Sequence, residues 1–263
     1  MKYFLFFLVF FIPTFAHSET ITIVADEWCP YNCEEGSAKP GFMVEIAEEV
    51  FKKTGHDIVY KTMSWDRALE AVHKGQYYAA IGATRREGED LIFPAKPQGY
   101  SRSYFYVRTS NNWNYEGIKS LDKMRVGFLE DYSYGKALDN YIEKYKDDKS
   151  RIIMSSGEEP LEEKVTSILR RDIEAFPEDN YVMGYYLSNN NKLGLLRKAG
   201  LVTEKPSPRD EEVFIAFSPV RVKSKEFVKI LSDGTEELRK NGRLKEILKK
   251  YGLEDWEQDV FGR

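Results

Sequence analysis

The chain has 263 residues, 39 basic against 43 acidic side chains and a net charge of −4, with two cysteines and three histidines. That mild acidity gives no electrostatic case for a nucleic-acid partner. The histidines have no ligand-like company for a metal, and no phosphate-binding glycine loop precedes a helix to suggest a nucleotide cofactor.

Residues 1–18 read as an export signal. Lys2 supplies a positive start, Phe4 to Ile12 is an unbroken apolar run, and Ala16 and Ser18 set small residues before a cut ahead of Glu19. The run is shorter than the roughly 20 residues a membrane span needs, and no later segment is apolar enough to insert once the signal is removed. A periplasmic location follows. In that oxidising compartment Cys29 and Cys33 are expected to form a disulfide. Closing so short a loop contributes about 2 kcal/mol, so its use is to hold the loop's shape. The remaining chain of about 245 residues suits one large domain or two ordinary ones.

Ile21 to Val24 is a short β-rich run. A loop follows with Trp28, Cys29, Pro30, Tyr31, Asn32 and Cys33, and Gly41 opens a helix whose apolar residues recur at three- and four-residue steps as far as Phe51. Ile58 to Met63 alternates as a second strand. Ser64 is placed to cap a second helix with Trp65, Ala68, Leu69 and Val72 on one face, and Tyr77 to Ala83 is a third strand. This β-α-β-α-β order predicts a mostly parallel sheet with helices on its faces. Tyr100 to Arg108 is aromatic and β-prone, and Asn111 to Gly117 is a connection. The same order then returns: strand Val126 to Leu129, a turn through Ser133 and Tyr134, helix Lys136 to Tyr145, strand Arg151 to Met154, a helix from Pro160 to about Arg171, and strand Ile173 to Phe176. Val213 to Phe217 is a further strand, and two helices close the chain. Two such units predict two lobes with a cleft between them.

No nucleophile motif is present. The turn at Ser133 lacks the first glycine of a nucleophile elbow, although paired acids of the glycosidase kind are left open by the sequence. Open α/β sheets bind ligands beyond the carboxyl ends of their strands, and there the chain places Trp28 and Tyr31, Trp65 and Arg67, Thr84, Arg85 and Arg86, Ser133 and Tyr134, and Glu178 and Asp179. An arginine among them would clamp a carboxylate. An acid from the other lobe would hold an ammonium, and aromatics would cover the apolar part. Each has a plainer reading. Trp28 and Tyr31 could cap the core, Trp65 lies on the same face as Leu69 and Val72, one of the two arginines is solvated, and Asp179 could simply cap a helix at Tyr181 to Leu187.

The same residues carry a resemblance. The series Trp28 to Tyr31, Pro40-Gly41-Phe42-Met43, Trp65 to Leu69, Gly82 to Thr84, Phe93-Pro94, Val126-Gly127, Glu174-Ala175 and Asp179, and the helical tail with Gly242, is similar to the periplasmic solute-binding proteins of ABC transporters, in the branch that binds amino acids. The resemblance implies a two-lobed α/β periplasmic-binding-protein fold joined by two crossing strands. It places lobe one at 19–110 plus 217–263 and lobe two at 111–216. It also implies a monomer without catalysis that takes a small polar solute at Trp28, Tyr31, Trp65, Thr84, Arg86, Ser133, Tyr134 and Asp179, with Glu178 as a rival acid, and passes it to a membrane permease. The other readings are a sensing module that reports to a membrane partner and, less favoured, a secreted carboxylate-based hydrolase. The chain departs from the family pattern where Thr84-Arg85-Arg86 is compressed, where Phe93 is followed by Pro94, and where the Cys29–Cys33 element replaces the usual first loop. These departures bear on the ligand more than on the fold.

Overall fold

A computed structural model describes residues 18–257, except 87, 89, 131, 157–159 and 204–206. All but the last residue of the export signal expected at 1–18 lies outside these. In chain order the elements are β1 (Thr20–Ala25), α1 (Phe42–Lys53), β2 (Asp57–Thr62), α2 (Trp65–His73), β3 (Ala79–Ala83), β4 (Gly99–Tyr100) and β5 (Ser103–Arg108). Then come β6 (Val126–Leu129), α3 (Lys136–Tyr145), β7 (Ile152–Ser155), α4 (Pro160–Arg170), β8 (Phe176–Asp179), α5 (Asn180–Asn189), β9 (Leu196–Leu201), β10 (Glu212–Phe217), α6 (Ser224–Lys240) and α7 (Arg243–Lys249).

The first sheet runs β2-β1-β3-β10-β4. Its first three strands are parallel, and β10 is antiparallel to both β3 and β4. In the second half β6 pairs in parallel with β7, a parallel bridge joins Val126 to Ala175 just ahead of β8, and β5 is antiparallel to β8 and β9. The order is therefore β7-β6-β8-β5-β9. The two halves match strand for strand, including the antiparallel fourth strand, which in each case is contributed from beyond the local β-α-β-α-β unit.

Those fourth strands define the crossings. The aromatic run from Tyr100 to Arg108 is two strands rather than one: β4 belongs to the first sheet, β5 to the second, and the chain passes between them at Ser101 and Arg102. It returns between β9 and β10. This pairing puts β5 with the second half and β10 with the first, so the sheets change over earlier than at 110/111 and 216/217. Local β propensity is the same on both sides of Ser101, and only the distant pairing partners separate the two strands. The Arg102 guanidinium staples the crossings together with two bonds of 2.6 Å to Glu211, which is itself 5% exposed. Strand β9 had no counterpart among the expected elements. The cap expected from Ser64 is not made by its side chain.

Helix α1 buries Phe42, Met43, Val44, Ile46, Ala47, Val50 and Phe51 and turns its charges outward, as its periodicity requires. The tail helices return onto it. Leu231, Leu238, Leu244 and Ile247 join the same core cluster, while Arg243 meets Glu49 at 2.7 Å and Lys53 meets Glu237 at 3.1 Å.

Candidate functional site

The loop after β1 is a tight, bridged turn. Cys29 and Cys33 form a disulfide, and the Trp28 N–H donates to the Asn32 carbonyl at 2.8 Å. The turn presses against the start of α1 at Gly41, where φ is 110° and an added Cβ would lie 2.4 Å from Asn32 Cα. Only glycine fits both the angle and the approach. Trp28 stacks on Tyr31 with ring centres 3.9 Å apart and planes 9° from parallel. Gly82 of β3 lies beside its ring, where an added Cβ would make ordinary contact at 3.6 Å, so it is the φ of +95° that favours glycine there. Trp28 is half-buried, whereas Tyr31 beneath it is fully buried. Trp28 is thus a platform with one face covered, and Tyr31 is its support.

The loop after β3 carries Thr84, Arg85 and Arg86. Thr84 is half-buried, and its carbonyl accepts from the Gly88 N–H. The Arg85 guanidinium lies over the rings of Phe214 at 4.5 Å and Phe93 at 5.1 Å and reaches Glu212 at 3.7 Å. It is folded back onto its own sheet. Arg86 pairs with Asp210 at 3.1 Å, both largely in solvent. Trp65 packs beside Val24, Ala68 and Val72, in keeping with a core role. Arg67 opens instead onto a shallow depression with Glu70, Lys74 and Tyr77 that none of the other candidate residues lines.

In the second half Ser133 is exposed and donates to Asp139 Oδ2 at 2.7 Å, while the Tyr134 N–H donates to Oδ1 at 2.7 Å. Asp139, in the first turn of α3, thus fixes the loop. The Tyr134 ring turns inward against Phe128, and its hydroxyl accepts from the Leu129 N–H at 2.9 Å. Burial pushes that phenol well above its ordinary range. Glu178 accepts from Lys164 at 2.8 Å. Lys164 is 1% exposed and sits over the Phe176 ring.

Asp179 lies at the junction of everything described so far and is 4% exposed. Its Oδ1 caps α5, accepting from the Tyr181 and Val182 N–H groups at 2.8 and 3.0 Å. Its Oδ2 accepts from the Ser101 hydroxyl at 2.9 Å and the Arg102 N–H at 3.1 Å. The Tyr31 hydroxyl approaches to 3.1 Å and also donates to the Tyr100 carbonyl at 2.6 Å. Burial pushes the Asp179 carboxyl up to about 6, opposed by the Val182 N–H and assisted by the Glu178 charge. Burial, then the Asp179 charge, lifts the Tyr31 phenol far above its usual range.

Around this point the two halves touch through aromatic rings. Tyr181 of α5 faces Tyr31 at 6.0 Å and Phe42 at 6.4 Å, Tyr185 faces Tyr251 at 6.2 Å, and the Tyr181 hydroxyl donates to the Glu254 carbonyl. A cavity of about 150 Å³ beside the crossing is lined by Tyr100, Arg102, Tyr104, Lys198 and Trp256. Of the candidate residues only Asp179 reaches it. Lys164, Glu211 and Asp139 were not among the sequence candidates. Asp139, six residues after Ser133, had a readable signal as an acid in a first helical turn. The other two are distant partners with none.

Two matched α/β lobes, each opening its strand ends toward the other and joined by paired crossings, define the two-lobed fold of periplasmic binding proteins. The model for the bacterial extracellular solute-binding proteins, family 3, matches residues 21–254, and the chain belongs to that family. A Campylobacter jejuni subsp. jejuni protein described as a probable histidine-binding protein is 23% identical over 233 residues, 88% of this chain and 83% of its own. An ancestral arginine-binding protein solved with arginine superposes with a TM-score of 0.63 at 19% identity, covering 88% of this chain and 97% of that one. A structure from work on glutathione import in Streptococcus mutans, through GshT and a cystine importer, gives 0.70 at 15% identity, covering 89% and 95%. Likeness at these identities is likeness of fold. Among the described residues no helix is long and apolar enough to cross a membrane.

Proposed function

We propose that the chain is an exported solute-binding protein that closes its lobes over a small polar solute, leaves it chemically unchanged and delivers it to a membrane transporter. The observation that carries this reading is the meeting of Tyr31, in the loop after β1, with Asp179, at the end of β8, at 3.1 Å. It brings the carboxyl ends of the two parallel units face to face, which is where such sheets hold ligands. The described names of the relatives, histidine-binding and arginine-binding, support a solute the size of an amino acid. The lobes are assigned as 19–101 with 212–257, and 102–211. In the ligand-facing set Trp28 is the stacking platform, Arg86 the cation and Thr84 and Ser133 the hydroxyls. Tyr31, Tyr134, Arg85, Glu178 and Asp179 hold the walls in place.

A thermal-shift panel of amino acids, small peptides, polyamines, sugars and carboxylates tests it, because a guest bound only by the folded form raises the melting temperature. At least one class should stabilise the mature chain, and Trp28→Ala should abolish that shift while leaving the guest-free melting temperature within a few degrees. A panel with no response, or an undiminished response in the variant, would reject the reading.

A further inference from the structure

The cavity of about 150 Å³ beside the crossing is separate from the cleft between the strand ends. Trp28, Thr84, Arg86 and Ser133 do not line it. A series of rings leads away from them to its wall: Trp28 covers one face of Tyr31 at 3.9 Å, and Tyr181, 6.0 Å from Tyr31, borders the cavity. The deep end is aromatic, made by the buried Tyr100, Tyr181 and Trp256. Trp256 is braced by Arg239, whose guanidinium lies over its ring at 5.0 Å and pairs with Asp255 at 2.9 Å. The Tyr181 hydroxyl ties α5 to the same tail at the Glu254 carbonyl. The rim is more open and cationic. Lys198, which is exposed, lies across the Tyr104 ring at 4.5 Å. Arg102 is half-buried and is held there by its two bonds to Glu211.

A cavity of about 150 Å³ is large enough to take one benzene ring, and buried aromatic walls offer a planar guest stacked and edge contacts. The rim decides the guest's charge. A cation would meet Lys198 already seated over Tyr104, with Arg102 beside it. The acid on the cavity wall, Asp179, is engaged by the N–H groups of Tyr181, Val182 and Arg102 and the Ser101 hydroxyl at 2.8 to 3.1 Å, which fills the roughly four acceptor positions of a carboxylate. We propose that this cavity is a second binding site, apart from the cleft, for a single-ring carboxylate, with the ring against Tyr100, Tyr181 and Trp256 and the carboxylate at the rim with Lys198 and Arg102. Tyr100 and Trp256 belong to the first lobe, and Arg102, Tyr181 and Lys198 to the second, so such a guest bridges the lobes from the side of the crossings. The site goes beyond the solute-capture reading and does not depend on the cleft being filled.

Calorimetric titration of the mature chain with benzoate, with nothing added to fill the cleft, tests it. Benzoate should saturate one site with a dissociation constant of about 1 mM or tighter, within reach of so small a molecule. Benzylamine, which reverses the charge, and acetate, which lacks the ring, should each bind at least about tenfold more weakly. Lys198→Gln, a change at an exposed position, should weaken benzoate about three- to fivefold. Trp256→Phe, which keeps a smaller ring in place, should weaken it at least about threefold. Trp28→Ala tells this site from the cleft and should leave benzoate affinity within about twofold. No saturation by benzoate, benzylamine binding as tightly as benzoate, a benzoate site lost with Trp28, or one indifferent to Lys198 would each overturn the proposal. Should Trp256→Phe lower the melting temperature, the Lys198 and Trp28 variants still decide. The thermal-shift panel and its Trp28→Ala control judge solute capture separately, so either reading can fail while the other stands.

Discussion

The carboxyl ends of the third parallel strand of each half occupy equivalent places in the fold and handle charge in opposite ways. After β3, Arg86 meets Asp210 in solvent. At the end of β8, Glu178 holds a Lys164 that is 1% exposed, and Asp179 is 4% exposed with donors on every side. An exposed pair contributes at most about 1 kcal/mol and is readily re-partnered. A buried one is costly to break because a charge or a set of donors is left without compensation. Equivalent positions therefore give an exchangeable contact in one lobe and a fixed joint in the other.

Removing the joint should have the largest effect. Asp179→Ala strips the cap from α5 and leaves the Ser101 and Arg102 donors unpaired beside buried rings. The expected loss is on the order of 3–5 kcal/mol, measured by urea unfolding at pH 7. A loss under about 1 kcal/mol would mean that the buried network contributes no more than a surface pair. Next is Lys164→Ala, which leaves Glu178 without its cation and should cost roughly 3 kcal/mol. Lys164→Met with Glu178→Gln should recover most of it, because an apolar replacement of a buried pair is often neutral.

Little of this contrast was legible in the chain itself. Elements were, where periodicity is strong: Val126–Leu129 and Lys136–Tyr145 are strand and helix as the pattern of apolar residues requires. Strand β9 was not, because Leu196–Leu201 carries Arg197, Lys198 and Gly200 and owes its form to pairing with β5. Site positions were readable as strand ends, but side-chain direction was not. Tyr31 and Tyr134 turn into the interior, and Arg85 folds onto Phe93 and Phe214, each because its partner comes from elsewhere in the fold. The pairings of Glu178 with Lys164 and of Arg102 with Glu211 join residues 14 and 109 positions apart. No local pattern announces them.

The fixed joint should also be visible in pH dependence. The Asp179 carboxyl is pushed up to about 6 by burial, so the native state holds this proton more tightly than the unfolded chain does. Its contribution to stability is fully present below about pH 4 and is lost as pH rises to about 6, on the order of 3 kcal/mol in all. Other carboxylates titrate in the same window, so the readout is a difference in slope. Between pH 4 and 6.5, unfolding free energy should fall more steeply with pH in the wild type than in Asp179→Asn. Parallel curves would mean that Asp179 ionises alike in both states.

The smallest change in stability belongs to the exchangeable contact. Arg86→Ala removes a guanidinium that is 68% exposed and one partner of an ion pair screened by water and salt. Its unfolding free energy should move by no more than about 0.5 kcal/mol. The same substitution should weaken a bound carboxylate by at least tenfold, the loss of a charge-assisted bond of about 1.5 kcal/mol or more. Arg86→Lys keeps the charge but not the planar fork, so it should recover only part of that affinity. A variant that unfolds more easily yet binds as before would reverse the assignment, making Arg86 a brace for the second crossing through Asp210 and moving the cleft's cation elsewhere. The two outcomes separate cleanly because stability and affinity are read on one protein, and the pair has too little burial to couple them.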